Sequence, residues 1–101
     1  MNTANLQLEG LLIALASMNN LLVAKGLVTT EEVAGSLDRA EQTVLGDYRV
    51  EEMDPAQRDA IAFPIRLLKL ANNGASPGEV QPFSELAKLV GQTKDSYNDQ
   101  E

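Results

Sequence analysis

Residues 21–33 read LLVAKGLVTTEEV, and within this stretch one helix ends and another begins. Lys25 and Gly26 have the form of a last-turn cation followed by a left-handed glycine, with Leu27 placed to fold back as in a Schellman motif. Thr29 to Glu32 then reads T-x-x-E, a capping box, with Val28 and Val33 in the hydrophobic-staple positions on either side. Local chemistry alone therefore predicts an αα-hairpin.

Upstream of the hairpin turn, the spacing predicts a helix over residues 5–25. Leu8, Leu11, Leu12, Leu15, Met18 and Leu22 form one apolar stripe, and Leu6, Ile13 and Ala16 extend it around the helix. A helix that is apolar nearly all round is surrounded by protein, and a chain of 101 residues has few elements to do the surrounding. Either the helix sits at the centre of a small bundle or its second face meets another subunit, a second copy in the leading expectation. Leu6, Gly10, Ile13, Ala14 and Asn20 are the candidate interface residues. Gly10 and Ala14, four apart, permit a close helix approach, and Asn20, next to Asn19, is an amide of the kind that fixes register across a symmetric contact.

Downstream, a second helix is predicted over residues 30–45, with Val33, Leu37, Ala40 and Val44 inward and Glu31, Asp38, Arg39 and Glu41 facing water. Gly46 closes it, and Asp47 to Met53 reads as a polar loop. Asp54-Pro55-Ala56-Gln57 supplies an N-cap, a proline at the first helical position and a reciprocal Gln, so a third helix is predicted over 55–72, kinked at Pro64 where an intrahelical hydrogen bond is lost. Residues 75–82 are a linker rich in turn formers. A short helix over 83–90 follows, stopped by Gly91, and residues 92–101 read as a flexible tail. The fold class is all-α: a small bundle of three main helices plus a short C-terminal helix, one domain over residues 1–91.

Composition narrows the chemistry. The chain has no His, Cys or Trp, which excludes thiolate and histidine catalysis, Cys- or His-based zinc sites and disulfides. Phosphate-binding glycine motifs are missing as well. No catalytic residue, cofactor or metal is assigned. The net charge is −7 and the sequence pI about 4.4, the wrong sign for phosphate backbones, so nucleic acid is not an expected partner. Nine of the fifteen acids lie in residues 31–59, against Arg39, Arg49 and Arg58. Glu51, Glu52 and Asp54 are the candidate acidic partner surface; their spacing matches no calcium loop. The longest apolar run, Leu11 to Ala16, falls short of a bilayer span, and no basic residue precedes it as in a secretory signal. Sequence thus predicts a cytoplasmic protein without a membrane segment.

Two local likenesses bear on function. Residues 83–97 resemble the helix-turn-helix pattern of bacterial regulators, with Ala87, Gly91, Thr93 and Tyr97 at its marked places. Gln92 departs from the pattern's apolar staple, and Asp95, Asp99 and Glu101 outnumber Lys94 in the would-be reading helix. The stretch 21–33 is similar to helix hairpins such as that in the amino-terminal part of nitrile hydratase subunits; capping chemistry accounts for it, and that enzyme's metal-binding cysteine motif is absent. The leading expectation is a non-catalytic protein–protein interaction module that forms a homodimer or binds another protein. A small transcription regulator using residues 83–101, and an acidic inhibitor covering a basic surface, are the alternatives.

Overall fold

A computed structural model describes residues 3–74 and 80–93 and bears out the all-α expectation: among them are five helices and no strand. The helices are α1 (Thr3–Ala24), α2 (Thr30–Leu45), α3 (Tyr48–Glu51), α4 (Pro55–Gly74) and α5 (Phe83–Thr93). Most of the expected linker and of the expected tail lie outside the described residues.

Helix ends form as their chemistry dictates. Gly26 adopts φ +75°, its N–H donates to the Val23 carbonyl at 2.9 Å, and the Leu27 N–H donates to the Leu22 carbonyl at 3.1 Å, the two bonds of a Schellman turn. Leu27 itself does not fold back; it is 68% exposed. In the capping box, Thr29 Oγ1 accepts from the Glu32 N–H at 2.9 Å while the Thr29 N–H donates to Glu32 Oε1 at 2.8 Å. Asp54 and Gln57 repeat the arrangement at the start of α4.

Helix α4 is the hub, the element against which α1, α2 and α5 all pack. Its Leu67, Leu68 and Ala71 join Leu12 and Ala16 of α1 and Leu86 and Val90 of α5 in the core, with Leu67 and Leu86 fully enclosed. Phe63 and Phe83 meet edge to face, ring centres 6.1 Å apart, and fasten α5 to α4. Val80, just before α5, packs against the same core, so this part of the expected linker is tied down.

Two boundaries depart from the sequence expectation. The polar loop expected over Asp47–Met53 contains α3: Asp47 caps it by accepting from the Arg49 N–H at 2.9 Å, and Val50 is buried to 1%. Val50 is enclosed where this turn packs against α2 and α4. Helix α4 is continuous through Pro64, as a kinked rather than broken helix requires, and Ala60, whose carbonyl loses its donor there, lies on the exposed side where water can serve it. Helix α5 also runs on through Gly91, which takes no positive φ, as far as Thr93.

Candidate interaction surface

Helix α1 uses little of its apolar circumference inside the chain. Leu12 is 2% exposed and Ala16 is buried, four residues apart on the flank that faces α4 and α5. The rest of the predicted stripe faces outward: Leu8, Leu11, Leu15, Met18 and Leu22 are all exposed, Leu11 at 56% and Met18 at 61%. The bundle therefore leaves most of this stripe uncovered. At 100° per residue its centre lies about 100° round the helix from that of Leu12 and Ala16, and the bundle meets only one flank of the helix.

These five residues alternate in steps of three and four, and Ala4 continues the series toward the amino end. That is the a/d spacing of a helix–helix seam, with Leu8, Leu15 and Leu22 at a and Ala4, Leu11 and Met18 at d. Leu21, more than half exposed, widens the patch at the g position, whereas Leu6, equally exposed, lies on the far side of the helix. Together the exposed parts of the seam residues and Leu21 amount to roughly 500 Å² of apolar surface, within the range of the largest patch on a typical monomer.

The sequence-predicted interface residues lie off this seam, on another side of the helix, with only Ala14 at the seam's edge. Leu6, Gly10 and Ala14 are exposed, and a Cβ built on Gly10 would meet nothing within 4 Å. Ile13, by contrast, packs against the core, and Asn20 is half-buried. Asn20 lines a cleft of about 310 Å³ between α1, the start of α2 and the end of α4, together with Ala16, Val23, Ala24, Thr30, Ala71 and Asn72. Asn72 Nδ2 donates to the Thr30 carbonyl there at 3.1 Å. The amide of Asn20 thus belongs to the bundle side of α1, away from the seam.

A cluster that sequence reasoning missed joins α2 to α4. Arg66 donates from Nε to Glu41 Oε2 at 2.9 Å and from Nη1 to Asp59 Oδ1 at 3.2 Å; Lys69 Nζ lies 2.7 Å from Asp38 Oδ1 and 3.0 Å from Glu41 Oε1. Asp38 and Glu41 therefore do not form a purely solvated face. Burial acts to raise the Glu41 carboxyl, but hydrogen bonds from Arg66 and Lys69 and their charges outweigh it, and its pKa is lowered. Burial also opposes the Arg66 charge, and the bonds to Glu41 and Asp59 override it, so that the guanidinium is held more firmly protonated. Lys69 is raised by its bonds to Asp38 and Glu41. Every one of these shifts moves a group away from neutrality.

Glu51, Glu52 and Asp54 are exposed at the junction of α3 and α4, and Asp54 serves as the cap of α4. Asp47 pairs locally with Arg49 at 3.0 Å. With Asp38, Glu41 and Asp59 engaged by α4 cations, the acidic middle segment presents less free charge than its composition implied. Among the described residues no group of three carboxylates is placed to hold a metal ion. The expected helix-turn-helix needs its turn at Gly91, and α5 continues straight through that residue; residues 94–101, its second helix, lie outside the described residues.

Helix α1 also bears on membrane character. Its 22 residues carry one charge, Glu9, and an 18-residue window within them reaches a mean hydropathy of 1.4, so by length and composition alone the helix is apolar enough to cross a membrane, a test that a core helix or a signal sequence also passes. Comparisons with family models, curated proteins and solved structures found no match for this chain.

Proposed function

We propose that this chain is a non-catalytic helical interaction module that works as a homodimer, joined through the outward seam of α1. The observation that carries this reading is the exposed a/d series Leu8, Leu11, Leu15, Met18 and Leu22 on a helix whose neighbouring flank is buried. Two copies paired on it would remove on the order of 1,000 Å² from water, about the area a biological interface has to clear. A heptad seam is also self-complementary, since each knob finds a hole between residues of an identical helix.

Catalysis has little to work with. General acid–base chemistry favours a group titrating near neutral pH, whereas Glu41, Arg66 and Lys69 are displaced outward and neutralise one another. Their role is to lock α2 onto α4. The regulator alternative loses the turn at Gly91, and the acidic-inhibitor alternative loses part of its charge to Arg66 and Lys69.

A cytoplasmic location goes with this reading. Helix α1 is apolar enough for a bilayer, but its inner flank is packed on α4, whose Arg66, Lys69 and Asn72 would have to accompany it into lipid. Analytical ultracentrifugation combined with vesicle flotation tests both points. The native chain is expected to sediment at twice its 10.9 kDa mass at micromolar concentration, Leu15→Glu at 10.9 kDa with unchanged helicity, and neither to float with phosphatidylglycerol vesicles. A native chain that stays monomeric, or that floats with lipid, overturns the reading.

A further inference from the structure

We infer that the two α1 helices pair antiparallel, with Leu11 of one chain against the partner's Leu15. This rests on the homodimer reading above and adds the direction and register of the contact. The deciding residue is Lys25. Its N–H still bonds the Leu21 carbonyl at 3.0 Å, so it sits at the next d position after Met18, directly beyond Leu22 on the seam. A parallel pair stacks the two Lys25 ammoniums in one layer, where like charges repel and apolar neighbours withhold water. Parallel pairing also sets Ala4 against Ala4, leaving the first layer underfilled, and aligns the two helix dipoles.

Turning one helix over resolves each conflict, provided the register is right. If Leu15 faced the partner's Met18, Leu8 would face the partner's Lys25 and the charge would return to the seam. With Leu11 facing the partner's Leu15, Leu8 faces the partner's Met18 and small Ala4 faces the partner's Leu22. These six layers are wholly apolar, span about 27 Å at 1.5 Å per residue, and leave Lys25 outside them. Ala14, exposed beside the centre of the seam, keeps the approach of the two backbones close.

The chain has no cysteine, so introduced thiols are the only ones present. A mixture of Ala4→Cys and Leu22→Cys chains, and independently a mixture of Leu8→Cys and Met18→Cys chains, is oxidised mildly and run on a non-reducing gel beside each single variant. Disulfide formation requires Cβ atoms about 4 Å apart, so each mixture is expected to give about tenfold more linked dimer than Ala4→Cys or Leu8→Cys alone. Efficient self-linking of Ala4→Cys and Leu8→Cys overturns the antiparallel assignment in favour of a parallel dimer. A native dimer by sedimentation with no link from either mixture overturns it as well: if Leu15→Glu is then monomeric the seam reading stands with another register, and if Leu15→Glu stays dimeric the contact uses another face and the seam reading falls too. A native monomer removes both.

Discussion

Arg66 and Glu41, twenty-five residues apart in the chain, meet at 2.9 Å across the α2–α4 contact, Nε donating to Oε2, with both side chains largely shielded from water. Their neighbours Asp38, Asp59 and Lys69 complete a five-membered cluster that ties the second helix to the hub.

Removing the central carboxylate tests the strength of that tie. Glu41→Gln is expected to lower stability by about 1 to 3 kcal/mol near neutral pH, measured by urea denaturation, because Arg66 and Lys69 lose a charged acceptor while partly buried. The pH dependence follows from the shift. A carboxyl whose folded pKa is lowered contributes its full stability above the ordinary carboxylate range and loses it as pH falls through the folded value. Native stability is therefore expected to decline on acidification below about pH 4.5, with a shallower slope in Glu41→Gln. Lys69, whose folded pKa is raised, contributes fully below its ordinary range and loses that contribution only as strongly alkaline pH passes through its folded value.

The core and the seam separate by mutation. Leu86→Ala empties a fully buried site between α5 and α4 and is expected to cost about 2 to 5 kcal/mol. Leu11→Ala removes the same atoms from an exposed site and is expected to change the stability of dilute monomer by less than about 0.5 kcal/mol. Equilibrium denaturation at low protein concentration distinguishes the two.

Three glycines give opposite signs under one substitution. Gly26→Ala is strained by φ +75° despite open space around it and is expected to destabilise by about 1 to 2 kcal/mol. Gly10→Ala and Gly91→Ala add a better helix former inside α1 and α5, where a Cβ meets nothing, and each is expected to stabilise by about 0.5 to 1 kcal/mol. The sign at Gly91 is diagnostic, since a turn glycine with positive φ would respond in the other direction. Thermal melts of the three variants provide the readout.

A homodimer ties the melting temperature to concentration. The native chain is expected to melt higher as its concentration rises, and Leu15→Glu is expected to melt at one temperature throughout, as followed by far-ultraviolet circular dichroism.

Legibility in the sequence divided by range. The Schellman end at Gly26 and the capping boxes at Thr29 and Asp54 were readable because their partners lie within five residues, so composition nearly specifies geometry. Val50 escaped notice because a single apolar residue among charges leaves no periodic signal. Asp38 and Glu41 looked like a wet face, since the cations that engage them sit a helix away. For α1 the pattern revealed an apolar circumference but could not say which face the bundle would take; α4 and α5 offered Leu67, Ala71 and Leu86 to the flank of Leu12 and Ala16, leaving the more regular stripe outside.

The central position of α4 also sets an order of events during synthesis. Helix α1 leaves the ribosome first, yet the side chains that cover its inner flank begin at Leu67, about 50 residues later, which at 5 to 20 residues per second is an interval of roughly 3 to 10 seconds. For that time both flanks of the most apolar helix in the molecule are bare. Neighbouring nascent chains on one messenger RNA hold such helices in proximity, and assembly during translation would cover the seam before the rest of the bundle has formed.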